Sequence, residues 1–98
     1  MSIVPETRDT FNHDPDKVAD YHAYWADELQ RLDGIIISAS SWTVPAGLTM
    51  EDSSFTMNDA TIRISGGTPG QRYRLVNHIV CNDGQEFDKS IYLRCRQA

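Results

Sequence analysis

The sequence predicts a mainly β protein: an antiparallel β-sandwich with a polar N-terminal arm and one short helical segment. Three observations carry that expectation. Runs rich in Ile, Val, Thr, Tyr and Trp follow one another from Ile35 onward. Turn signals part them at close spacing, at Pro45-Ala46-Gly47, at Gly66-Gly67-Thr68-Pro69-Gly70 and at Asn82-Asp83-Gly84. The chain has 98 residues, enough for one small domain with a single two-layer core.

Residues 1–17 are polar, hold Pro5 and Pro15, and offer only Ile3, Val4 and Phe11 for burial. They read as an arm or extended strap, with the domain proper over residues 18–98. In residues 18–33, Val18, Tyr21, His22, Trp25, Leu29 and Leu32 fall at offsets 0, 3, 4, 7, 11 and 14, the stripe of an amphipathic helix. Asp14-Pro15-Asp16 would start such a helix and Gly34 would stop it. Ile35–Val44 reads as a strand whose parity slips, since Ile35 and Ile37 share one face and Trp42 and Val44 the other. A bulge near Ala39-Ser40-Ser41 would repair the parity and let the strand pass from one sheet to another. Short strands are expected around Leu48–Met50, Ser54–Met57 and Thr61–Ser65, then two long ones, Gln71–Cys81 and Gln85–Arg96.

The register of the last two strands follows from the need for one apolar face. A two-residue Asp83-Gly84 turn sets Tyr73, Leu75 and Ile79 against Arg94, Tyr92 and Asp88, mixing core with charge. A three-residue Asn82-Asp83-Gly84 loop sets them against Leu93, Ile91 and Phe87. The other face then carries Arg72 opposite Arg94, Arg74 opposite Tyr92 and His78 opposite Asp88. Five or six such strands with close turns read as a sandwich of immunoglobulin-like type.

Composition excludes several classes. Hydrophobic residues are 40 % and charged residues 23 %, in the globular range. The longest aliphatic run, Ile35-Ile36-Ile37, is far below the roughly 20 residues that cross a bilayer. Met1–Glu6 lacks the basic and apolar regions of a secretory signal, so a soluble chain made in the cytoplasm is expected. Net charge is −5, and all of the excess lies in residues 1–33, with eight acids against three bases; residues 34–98 hold six of each. That distribution argues against nucleic-acid binding, which needs an electropositive footprint.

Ser40-Ser41-Trp42-Thr43-Val44-Pro45-Ala46-Gly47-Leu48-Thr49 and Ser65–Ile79, the latter opening Ser-Gly-Gly-Thr-Pro-Gly, resemble the phage fibre-tail adaptor proteins. Asp14-Pro15-Asp16 precedes them and Ile91–Leu93 follows in the family's order, so the resemblance spans about residues 14–95. It implies an immunoglobulin-like virion protein that is not an enzyme and needs no cofactor. It also implies an extended segment before the first long strand. This chain is longer and more helix-prone there, which leaves an extended start at 18–25 with a helical turn over 26–32, or one helix throughout. The function implied is structural: an adaptor at the phage neck or tail that links fibre or neighbouring components by protein–protein contacts. Partners would be other neck, tail or fibre proteins, with copies in the ring symmetry of the tail and no membrane contact. A carbohydrate-binding or adhesion domain displayed on the virion is the alternative function.

Other candidate chemistry is weak. Asn12, Asp14, Asp16 and Asp20 fall short of a calcium loop, which needs Gly where Lys17 stands and Glu where Ala23 stands. His13, His22 and His78 lack metal-site spacing, and no Ser sits in a nucleophile-elbow motif. Trp42 reads as a core aromatic against Tyr73 and Leu93. The expected interface pairs Glu6, Asp9, Asp14 and Asp16 of the arm with Arg72, Arg74, Arg94 and Arg96 of a neighbour. Cys81 and Cys95 stand at opposite ends of the final hairpin, roughly 30 Å apart along the strands, too far to bridge. Cys95 is expected in the core, and Cys81, near the hairpin tip, is the candidate for a disulfide to another subunit.

Overall fold

The computed structural model of the chain describes residues 10–30 and 34–96. Seven strands and one helix follow in the order β1 (Thr10–His13), β2 (Ala19–Tyr24), α1 (Ala26–Gln30), β3 (Ile37–Thr43), β4 (Leu48–Phe55), β5 (Asp59–Gly66), β6 (Arg72–Cys81) and β7 (Glu86–Cys95). They form two sheets, a four-stranded one ordered β1-β7-β6-β3 and a three-stranded one ordered β2-β5-β4. The result is a mainly β sandwich with one short helix.

The β6–β7 pairing is the one that an apolar face requires. Tyr73 stands opposite Leu93, Leu75 opposite Ile91 and Ile79 opposite Phe87, and Gly84 takes a left-handed φ of 92° at the tip. Residues 18–30 resolve toward the extended reading, and residues 31–33 of that stretch lie outside the described residues. Asp20, His22 and Tyr24 alternate with buried Tyr21 and Ala23, and β2 pairs with β5 throughout. Val18, which a helical stripe would bury, is 58 % exposed. Helix α1 begins only after Trp25, whose carbonyl accepts from Leu29 N.

Three expectations are corrected. Residues 10–13 are not free arm: β1 pairs in parallel with β7, Phe11 packs on the core and His13 is buried. The parity slip in β3 falls between Ile37 and Ala39, and β3 remains paired with β6 instead of changing sheets. Where it nears the other sheet, Ile37 N donates to Met57 O in the turn between β4 and β5. Finally, the two short strands expected over 48–57 are one strand, β4, with a register shift between Met50 and Asp52. An extra residue at the shift lets the strand continue through it.

The core has two clusters along the strand axis. One gathers Tyr21, Leu48, Ile62, Ile64, Leu75, Ile91, Leu93 and Cys95. The other gathers Ala23, Trp25, Leu29, Ile37, Ile79 and Cys81. Trp42 packs against both. Buried Asn77 accepts from Trp25 Nε1 at 2.8 Å and donates to Ser40 Oγ and Ser41 O, each at 2.9 Å. A fully satisfied buried amide of this kind fixes the pairing of the elements it joins.

Candidate functional site

Alternation along β6 and β7 turns odd-numbered positions to the core and even-numbered ones outward. The outer face of the four-stranded sheet is therefore read off as ladder rungs: Arg72–Arg94, Arg74–Tyr92, Val76–Ser90, His78–Asp88 and Val80–Glu86. Its neighbour β3 adds exposed Ala39, Ser41 and Thr43 beside Val80, His78 and Val76. The face is basic at one end, low and small in the middle, and acidic at the hairpin tip.

At the basic end Arg72 and Arg94 stand directly opposite each other, an arrangement that destabilises a sheet. Arg74 Nε donates to Ser90 Oγ at 2.9 Å. Among the described residues, Arg72, Arg94 and Arg96 have no carboxylate within salt-bridge distance. These three line an open cleft of about 560 Å³ together with Pro69, Gly70 and Gln71. Such an arrangement can take up carboxylates or other anions, because guanidinium groups offer several fixed donors each.

At the acidic end His78 is held from both sides. Its Nδ1 meets Asp88 Oδ1 and its Nε2 lies 2.7 Å from Glu86 Oε1. The Asp88 bond first and the Glu86 bond second raise the imidazole above its ordinary value. Behind the tip, Lys89 Nζ sits 2.6 Å from Glu28 Oε2 and 4.6 Å from the centre of the Trp25 ring, tying α1 to the hairpin.

Arg72, Arg74 and Arg94 thus share one face, with Arg96 just beyond it. The acidic residues expected opposite them divide. Asp14 and Asp16 lie in the turn after β1, where Asp14 Oδ1 accepts from Asp16 N at 2.9 Å. They stand at the basic end of their own chain, since Arg96 N donates to His13 O. Glu6 and Asp9 lie outside the described residues. Cys81, expected to be accessible, is 2 % exposed among Trp25, Leu29, Ile37 and Ile79, so a bridge to another subunit would need the tip to open. Cys95 is buried as expected, and both thiols are free. Burial pushes each thiol up from its usual range.

Two polar features were missed. Glu86 as second partner of His78 was foreshadowed by its place two residues from Asp88, on the same face. The other is buried His13, whose Nδ1 lies 2.7 Å from the Tyr21 hydroxyl. The Nδ1–H tautomer lets that ring donate to Tyr21 while the phenol donates to Asn12 O at 3.4 Å. Burial pushes the Tyr21 phenol up to about 12. Nothing in a single sequence marks that pair.

The two segments that carry the family resemblance meet around Tyr73. The Tyr73 hydroxyl accepts from Thr68 N at 3.0 Å. A Cβ on Gly47 would lie 3.1 Å from the Tyr73 ring, and one on Gly67 would lie 2.5 Å from Cys95 Sγ. The motif glycines are therefore turn and packing positions that close the basic end of the sandwich. Residues 13–94 match the model of a family described as Podophage GP4 fiber-tail adaptor protein gp77. No curated protein matches the chain.

Proposed function

The chain belongs to the podophage fiber-tail adaptor family, and from that membership we propose that it joins fibre or neighbouring components to the tail, at or near the neck, by protein–protein contacts. The family is one of structural tail proteins of the virion. The observation that carries the contact surface is the Arg72–Arg94 rung with Arg96 beside it. Like charges held opposite each other, without acidic partners among the described residues, are a liability in the isolated chain. Against an acidic surface they become an asset, because paired charges at a partly buried interface are sensitive to truncation, often by about 2 kcal/mol or more. The acidic complement comes from a neighbouring protein in the virion, whether another component or a further copy of this chain.

Charge reversal tests this. Phage made with the Arg72→Glu, Arg94→Glu chain should contain a folded protein, with unchanged far-UV circular dichroism, that is missing from purified particles by mass spectrometry. Incorporation at the wild-type level would remove the arginine surface from the interface.

A further inference from the structure

We propose that the outer face of the four-stranded sheet pairs with the same face of a second copy, about a two-fold axis that crosses the strands near Val76 and Ser90. This deepens the reading of the arginine surface as a contact surface, and rests on it, by naming what covers that surface.

The face is complementary to itself in one orientation. Arg72, Arg74 and Arg94 occupy one end, and Glu86 and Asp88 the other. Both acids keep exposed carboxylates while holding His78, at 57 % and 64 % side-chain exposure. Arg94 and Asp88 are six residues apart on β7, roughly 20 Å along the strand. That is more than two screening lengths at physiological salt, about 8 Å each, so the two ends cannot neutralise each other within one chain. A second copy can.

Two ways of facing the sheets are distinguished by charge. An axis along the strands keeps each rung at its own level and stacks arginines on arginines. An axis across the strands reverses the ladder, bringing Arg94 over the partner's Glu86, Tyr92 over its Asp88, Arg72 over its Val80 and Arg74 over its His78, so that the end rich in arginine meets the end that holds the two carboxylates. Near the axis Val76, Ser90 and Thr43 are short side chains, with Arg74 Nε on Ser90 Oγ, and Ser41 and Ala39 continue the low strip toward the acidic end, which lets the backbones approach. Sheets pack in this aligned manner about 10 Å apart.

The available area fits a dimer of modest strength. β1, β3, β6 and β7, of 4, 7, 10 and 10 residues, present on the order of 500 Å² per copy at about 3.3 Å per residue and about 4.8 Å spacing. The total of about 1,000 Å² is at the lower limit for a specific interface. Association should therefore be reversible and weakened by salt.

The test uses the whole chain in sedimentation equilibrium at low ionic strength. The wild-type chain should dimerise, less so as salt is raised. Arg72→Glu, Arg94→Glu and, separately, Glu86→Lys should each weaken the dimer by about tenfold or more. Mixed in equal amounts, the two variants should restore it as a heterodimer. Glu86→Lys leaves the Asp88–His78 bond in place, and thermal melts check that both variants fold. A wild-type chain that stays monomeric at high micromolar concentration, variants that dimerise as wild type does, or a mixture that stays monomeric would each overturn the proposal. Loss of the dimer proposal by any of these routes leaves the particle-incorporation test of the arginine surface standing by itself.

Discussion

At His78 two carboxylates converge on one exposed imidazole, and the consequence is a pH dependence of definite sign. Asp88 and Glu86 raise the folded-state value, so the stabilisation is fully present below the unfolded value of about 6.5 and is lost as pH climbs through the folded one. His78→Gln should therefore lower the melting temperature between about pH 5 and pH 6.5, while the carboxylates remain charged, and change it little near pH 9. A difference that grows with pH would contradict the assignment. Gly67 makes a second demand at this scale. Its φ of 106° is unfavourable to a side chain, and a Cβ would meet buried Cys95 Sγ and Leu48 Cδ2. Gly67→Ala should cost about 2–4 kcal/mol in chemical denaturation. Adding Cys95→Ala should recover the part due to the clash and leave the part due to φ, a coupling that a double-mutant cycle reads directly.

At the scale of elements, the long hairpin was legible in the sequence because only one loop length gives a continuous apolar face. The kink in β3 was legible from parity alone, one or two residues away from where it falls. The rest was hidden for physical reasons. β2 imitates a helix because Trp25, the residue before α1, and Leu29 within it extend the spacing of Tyr21 into a helical stripe. β4 reads as two pieces because its register shift falls in the polar stretch Met50–Ser53. β1 is four residues long with one large apolar side chain, and its stability comes from non-local partners: β7 on one side and Tyr21 beneath His13. The arginine surface could be read from register, whereas burial of Cys81 could not, since it depends on α1 closing over the tip. Removal of residues 1–17 tests the weight of β1 directly. It should strip an edge strand, lower stability by about 2–4 kcal/mol and drop the melting temperature by about 10 °C or more. A truncated chain that melts with the full-length one would show that β1 contributes nothing to the fold.

For the whole molecule, the sandwich separates stability from contact. Its apolar residues close two clusters, one of them tied through Trp25 to Asn77, and among the described residues four arginines without a carboxylate partner gather at one end of one outer face. An adaptor needs that division, because the surface must meet a partner without loosening the core. The role itself is tested most directly by the composition of particles made without this chain, with fibre protein per particle measured by quantitative mass spectrometry. Tails should assemble but lack their fibres, with fibres regained when the chain is supplied in trans. Particles that carry fibres at normal occupancy in its absence would contradict it.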